Sequence, residues 1–263
     1  MIQLDGNDPR VDDPVTAPEV EILAARALAI LATRGAQQSP RLVERLRFLA
    51  DAFMAMDTDA SVEALERVLA DGVSIDDVID HVIPEVARLA GKLWAEDDVS
   101  FVDVSIASAR LQESVRRLRR RERGKMDVGG AEANVLLIVP PSEEHTLGIF
   151  VAADQLRRMG TSVEISIAER PRDIAGRLKA KTYKLVGITA SGPRTLAYVK
   201  ELIKTVRRHT KAFVPIALGG PIILNDGLGL DQLGVEFVSE DIRLTAQRCG
   251  LALRETNATD EVV

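Results

Sequence analysis

Val135-Leu-Leu-Ile-Val-Pro-Pro-Ser-Glu-Glu-His-Thr-Leu-Gly148 is the stretch whose reading decides the fold. Its first five residues are apolar and mostly branched, the composition of a buried strand. Pro140 and Pro141 stop that strand, and a polar loop follows with Glu143, His145 and Gly148. Residues 149–159 resume with helical periodicity, and Gly160 ends them. His145 thus sits where a strand hands over to a helix, at the carboxyl edge where open α/β sheets bind ligands. An imidazole there, two residues after a carboxylate, suits a metal ligand with a hydrogen-bonding partner behind it.

Downstream of this stretch strands and helices alternate. Strands are predicted at 162–167, 185–189, 213–218 and 237–238. Helices are predicted at 172–180, 194–208, after Gly220, and at 241–249. Such alternation means a parallel sheet flanked by helices, a Rossmann-like (flavodoxin-like) domain over residues 134–253, with a polar tail at 254–263. Two more strand ends carry informative loops on the same edge. One is Thr189-Ala-Ser191-Gly192, with two hydroxyls; the other is Leu218-Gly219-Gly220-Pro221. Paired glycines let backbone approach a ligand where a side chain would block it.

Upstream the pattern is helical. Residues 1–16, rich in Asp and Pro, are expected to be disordered, and 17–123 to form an all-α bundle. A first helix spans 18–33. A second opens at Ser39-Pro40 with Leu42, Leu46, Leu49 and Phe53 inward. A third is capped by Asp59 or Ser61, with Val62, Leu65, Val68 and Leu69 inward, and Gly72 closes it. Ser74 caps a fourth from 75 to about 94, and Ser100 precedes a fifth from 101 to about 123. Residues 124–133, with Gly129-Gly130, read as a linker. The fifth helix ends in Arg116-Arg-Leu-Arg-Arg-Arg-Glu-Arg-Gly-Lys125. This run is either a basic binding face or a solvated helix end whose cations suit the C-terminal dipole.

Composition narrows the functional classes. A formal net charge of -6 over 263 residues argues against generic nucleic-acid affinity. A single cysteine, Cys249, rules out an internal disulfide framework and a thiolate cluster. No apolar run reaches the length of a membrane span, and the N-terminus lacks the regions of a signal peptide, so a cytoplasmic protein with no membrane contact is expected.

The three loops, in order, resemble the cobalamin-binding domain family, whose signature is Asp-x-His-x-x-Gly, then Ser-x-Leu, then Gly-Gly. Glu143-x-His145-x-x-Gly148 fits the first part with Glu for Asp. Thr189-Ala-Ser191 stands at the second, changed at both ends, and Gly219-Gly220 fits the third. The resemblance implies that His145 replaces the cofactor's dimethylbenzimidazole tail as lower cobalt ligand. It also implies that Thr189 contacts the displaced tail and that the glycines line its tunnel. The helical half is similar to the bundle that caps cobalamin in methionine-synthase-like modules. Within that group the fit is closer to one branch, the antirepressors of photosynthesis genes (PpaA/AerR type), through Trp94, Phe101-Val-Asp-Val104 and Arg110-Leu-Gln-Glu113. Related light-sensing repressors carry a Glu-His pair after the tryptophan, where this chain reads Val104-Ser105, so that upper histidine is absent.

The implied function is a cobalamin-binding, light-responsive regulator rather than an enzyme. It has no DNA-binding domain of its own and would act through a partner repressor. Two other readings stand beside it: a corrinoid carrier subunit for methyl transfer, and a heme-binding redox sensor of the same fold, since iron also accepts imidazole. Of the remaining candidates, Trp94 reads as bundle core or cofactor cap. His81 reads as a packed histidine, His209 as an exposed helix end, and Glu96-Asp97-Asp98 as a solvated turn.

Overall fold

The computed structural model describes residues 40–123, 133–225 and 227–251. The expected tails at 1–16 and 254–263, the helix at 18–33 and all but the last residue of the 124–133 linker lie outside them. The chain forms two compact units that divide between Ala107 and Ser108.

The first unit contains α1 (Pro40–Met54), α2 (Thr58–Ala70), α3 (Ile75–Asp77), α4 (Ile83–Ala95) and the opening turns of α5 (Phe101–Arg123). Leu46, Leu49 and Phe53 of α1 are buried, as their spacing requires, and α1 packs on α2 and α4. The cap of α2 differs from expectation. Asp57, one residue before the helix, accepts from the Asp59 backbone N–H at 3.0 Å. Ser61 is instead buried inside α2 and donates to the Thr58 carbonyl. Leu65 is buried with Ala64, while Val62, Val68 and Leu69 are half-buried. Ser74 caps α3 as expected, accepting from Asp77 N–H at 3.0 Å. The single helix predicted from 75 to 94 is interrupted by a π-helical turn, Val78–Val82. There the Ile83 N–H reaches back to the Val78 carbonyl. That five-residue step brings Val78 and Ile83, both fully buried, onto one face, which an unbroken α-helix would not do.

The second unit is built on five parallel strands in the order β2-β1-β3-β4-β5. These are β1 (Asn134–Val139), β2 (Ser162–Ile167), β3 (Leu185–Thr189), β4 (Ile216–Gly219) and β5 (Phe237–Val238). The helices are α6 (Leu147–Arg158), α7 (Pro171–Ala180), α8 (Pro193–His209) and α9 (Ile242–Arg248). The alternation of β1 sorts its side chains between two cores. Leu136 and Ile138 pack with Ile174, Leu178, Val199 and Leu202 of α7 and α8. Val135, Leu137 and Val139 pack with Ile149, Ala153 and Leu156 of α6 and with Ala246 of α9. Strand β4 starts three residues later than the predicted 213. Pro215 has no N–H to give a ladder, and Phe213 is exposed with the Arg207 guanidinium 5.1 Å from its ring centroid.

The compact units do not divide at the end of a helix. The division falls inside α5, and the last turns of that helix lie along α6. Arg119 meets the buried Asp154 through two hydrogen bonds, Nε to Oδ1 at 2.5 Å and Nη2 to Oδ2 at 2.9 Å. Arg120 pairs with Glu113, and the Arg116 guanidinium lies 4.9 Å from the Phe150 ring centroid. Arg116, Arg119 and Arg120 of the basic run read from the sequence thus have partners within the chain.

Candidate functional site

The strand order reverses between β1 and β3, whose partners run from Val135 opposite Leu185 to Ile138 opposite Ile188. Chain leaves β1 toward one side of the sheet and β3 toward the other, so a crevice opens between their C-terminal loops. His145 stands in the first loop and Thr189, Ala190 and Ser191 in the second.

The Glu143 side chain is fully shielded from solvent, whereas that of His145 is 66% exposed. Glu143 Oε1 accepts from the His145 backbone N–H at 2.7 Å and faces the ring Nδ1 at 3.1 Å. The carboxylate therefore fixes both the backbone and the ring of the same residue. With Nδ1–H directed at Glu143, the lone pair of a neutral imidazole lies on Nε2, the outward nitrogen. Hydrogen bonding to Glu143 raises the His145 pKa, more than burial lowers it. Burial pushes the Glu143 carboxyl up. The His145 ring, the His145 backbone and the Ser191 hydroxyl outweigh that and leave it below its ordinary value. Glu143 Oε2 is buried without a closed hydrogen bond. The second loop thus faces the first through Ser191, the residue that stands at the leucine position of the family signature.

The glycines divide into two kinds. A Cβ on Gly220 would lie 2.5 Å from the Ala190 carbonyl oxygen and 2.7 Å from Thr189 Oγ1, and its φ of +92° favours glycine. The close approach at Gly220 is therefore to the protein's own backbone. Ala190 N–H donates to the Gly219 carbonyl and Ile222 N–H to the Ala190 carbonyl, which ties the loops after β3 and β4 together. A Cβ on Gly219 would lie 3.2 Å from the Ser239 carbonyl oxygen, a tight but less severe approach. Gly148, in the first turn of α6, has nothing within 4 Å of such a Cβ. Its lack of a side chain leaves open space beside His145.

The structure thus brings Glu143, His145, Gly148, Thr189, Ser191, Gly219 and Gly220 to one edge of the sheet. Trp94 belongs to the helical unit. It is 48% exposed, with its ring 6.0 Å from that of Phe101, so it is not bundle core. His81 lies in the π turn with its Nδ1 buried and unpaired. His209 meets the Thr205 carbonyl through Nδ1 at 2.9 Å. Asp97 adopts φ 61° in the turn after α4. Sequence reasoning misses Thr146 and gives Gln112 no partner. Gln112 Nε2 donates to Thr146 Oγ1 at 2.8 Å, directly beside His145. The signal available was the helical spacing of residues 112, 116 and 119 against 146, 150 and 154.

The donor set fits a particular kind of metal. Among the described residues no three His, Cys, Asp or Glu side chains converge to hold an ion. A metal at His145 would bring its other ligands with it, as a macrocycle does, and an exposed Nε2 with a buried carboxylate behind Nδ1 is suited to receive it axially. No helix among the described residues is long and apolar enough to cross a membrane.

Comparison with known proteins agrees with this chemistry. A B12 binding domain family model matches residues 133–239, and a second B12 binding domain model matches residues 46–119. A curated relative from Rhodobacter capsulatus, an uncharacterized 20.5 kDa protein in the bchF-crtJ intergenic region, is 34% identical over 180 residues. The match covers 68% of this chain and 93% of that protein. The solved structure of the Methanosarcina barkeri monomethylamine corrinoid protein aligns with a TM-score of 0.61 at 15% identity. It covers 78% of this chain and 96% of the other, a likeness of fold.

Proposed function

We propose a regulatory role for this chain from one established premise: it belongs to the family of two-part B12-binding proteins that includes the Rhodobacter capsulatus relative, and its cofactor is cobalamin. Cobalamin takes the place of the iron alternative. His145 would hold the cobalt through Nε2, with Glu143 holding Nδ1 and Ser191 steadying Glu143. Thr189, Gly219 and Gly220 would border the rest of the group, and Gly148 would leave it room. The observation that carries the assignment is the pairing of a buried Glu143 with the Nδ1 of an exposed imidazole. When bound, cobalamin supplies a cobalt centre whose axial ligation responds to light and to added ligands.

The chain acts by binding rather than by turnover, as a light-responsive antirepressor that works through a partner repressor. The relative encoded between bchF and crtJ favours this reading, as does the resemblance of Phe101-Val-Asp-Val104 and Arg110-Leu-Gln-Glu113 to the antirepressors of photosynthesis genes. The test is an absorption spectrum of the cobalamin-loaded protein, dark and then lit, followed by titration against a repressor on its operator. We expect the spectrum to shift and the repressor's affinity for DNA to change with it. The protein alone should bind duplex weakly and without sequence preference at physiological salt. Tight, specific DNA binding by the isolated chain would overturn the partner-mediated reading.

The second reading is a corrinoid carrier for methyl transfer, favoured by the fold it shares with the monomethylamine corrinoid protein. Acceptance of a methyl group from a corrinoid methyltransferase, with no effect on any repressor, would select it.

A further inference from the structure

Helix α5 meets α6 in a fixed register. Gln112 donates to Thr146 at 2.8 Å, the Arg116 guanidinium lies 4.9 Å from the Phe150 ring centroid, and Arg119 is bidentate on Asp154. The contacting residues rise together along both helices, so these helices run parallel. The steps of four and three on one side, and of four and four on the other, keep each set on a single face.

The two ends of this seam differ in strength. Asp154 is buried and also accepts from Arg158 Nε at 3.1 Å, so the far end is a charge-assisted anchor. The near end is one neutral hydrogen bond, which is worth much less. Thr146 occupies the N-cap position of α6, where a hydroxyl ordinarily accepts from the helix's own backbone. Here it makes no such cap bond, and its oxygen accepts from Gln112 instead. Thr146 therefore gives up local helix capping for a link to another element, and that link is one peptide bond from His145. Of Arg110-Leu-Gln-Glu113, Leu111 is buried and Glu113 pairs with Arg116 and Arg120 along its own helix. Gln112 instead reaches across to α6.

We propose that Gln112 is a positioning residue for His145, and that the Gln112–Thr146 bond is the latch through which α5 reads the ligation state of that imidazole. The inference rests on the assignment of His145 as axial ligand. With the latch closed, the loop between β1 and α6 is held from both ends: Glu143 grips the ring and backbone, and Gln112 grips the next residue. Coupling of this kind is reciprocal. If the position of α5 favours ligation at His145, ligation favours that position of α5. Because α5 continues without a break into residues 101–107 of the helical unit, a change at His145 has a covalent route out of the sheet unit.

The test uses the full chain loaded with aquocobinamide, a corrinoid that lacks the benzimidazole tail and so takes an axial nitrogen only from the protein, reduced to cobalt(II) and read by electron paramagnetic resonance. Nitrogen splitting of the cobalt lines reports imidazole on the metal. Gln112→Leu and Thr146→Val should each lower the ratio of ligated to unligated cobalt by roughly 3- to 10-fold, the scale of one neutral hydrogen bond. Thr146→Ser, which keeps the hydroxyl, should restore the ratio. The double variant should fall no further than either single one, because both remove the same bond. Hydrogen exchange of the amides in residues 108–115 supplies the second readout. It should differ between the loaded protein and loaded His145→Ala, and Gln112→Leu should abolish the difference. An unchanged ratio in Gln112→Leu and Thr146→Val, with nitrogen splitting lost in His145→Ala, overturns the latch and leaves the axial assignment standing. Nitrogen splitting retained in His145→Ala overturns the axial assignment itself, and the latch falls with it.

Discussion

His145 and Glu143 form a unit in which the carboxylate contributes more than charge. It bonds the backbone and the ring of the same residue, so the imidazole has little freedom before any metal arrives. Losing a partner of this kind typically costs about 10- to 100-fold in metal affinity. We expect Glu143→Gln to weaken cobalamin binding within that range, measured by spectral titration, and His145→Ala to remove the histidine-ligated form altogether. The two glycines separate backbone demand from ligand demand. Gly220→Ala should destabilise the unloaded protein by at least about 1–3 kcal/mol from its positive φ alone, with the clash at Ala190 added, as read by chemical unfolding. Gly148→Ala meets nothing and should leave the unloaded protein as stable or slightly more so, while cobalamin affinity falls. If both substitutions destabilise the unloaded protein equally, Gly148 is a structural residue. His145 was legible in the sequence because strand, proline stop and loop are all local signals. The reason for Gly220 was not. Its neighbours are Thr189 and Ala190, about thirty residues away, and only the pairing of β3 with β4 brings them together.

At the scale of elements, the parallel strands and their helices follow from period, since buried β1 could alternate only one way between its two cores. The π turn at Val78–Val82 escaped because the apolar positions Val78, Ile79, Val82 and Ile83 suit an α-helix and a π turn equally well. The edge strand β2 shows a further device that sequence spacing does not reveal. Glu164 accepts from Lys181 Nζ at 2.6 Å and from the Tyr183 hydroxyl at 2.8 Å, and Arg177 pairs with Glu169. The Lys181 hydrogen bond leads in holding Glu164 below its ordinary value, and the Arg177 hydrogen bond does the same for Glu169. A carboxylate with a depressed folded-state pKa stabilises the fold at pH above its unfolded value, about 4.5. That stabilisation is lost as pH falls through the lower folded value. Unfolding followed by circular dichroism should therefore show stability declining below about pH 4.5. Glu164→Gln should be less stable at neutral pH and flatter across the acid range. An acid profile identical in Glu164→Gln and the natural chain would show that the network carries no part of it.

For the molecule as a whole, the position of the unit boundary has a direct experimental consequence. A fragment of residues 134–263 discards Arg119 and leaves the buried Asp154 with Arg158 alone, whereas residues 108–263 keep the bidentate pair. Removing one partner of a buried ion pair costs about 3–5 kcal/mol, less here by what Arg158 retains. We expect the longer fragment to unfold at the higher temperature, and equal melting temperatures would show the seam to be dispensable. The same feature bears on ancestry. The glycine-bearing stretch at 124–133 looks like the place where two independent genes were joined, yet the side chains at 112, 116 and 119 match those at 146, 150 and 154 across it. A helical half borrowed from another corrinoid protein would arrive with the wrong teeth for this α6. Recombination at residue 133 would break a fit that the two halves must therefore keep in step, residue against residue, as each one changes.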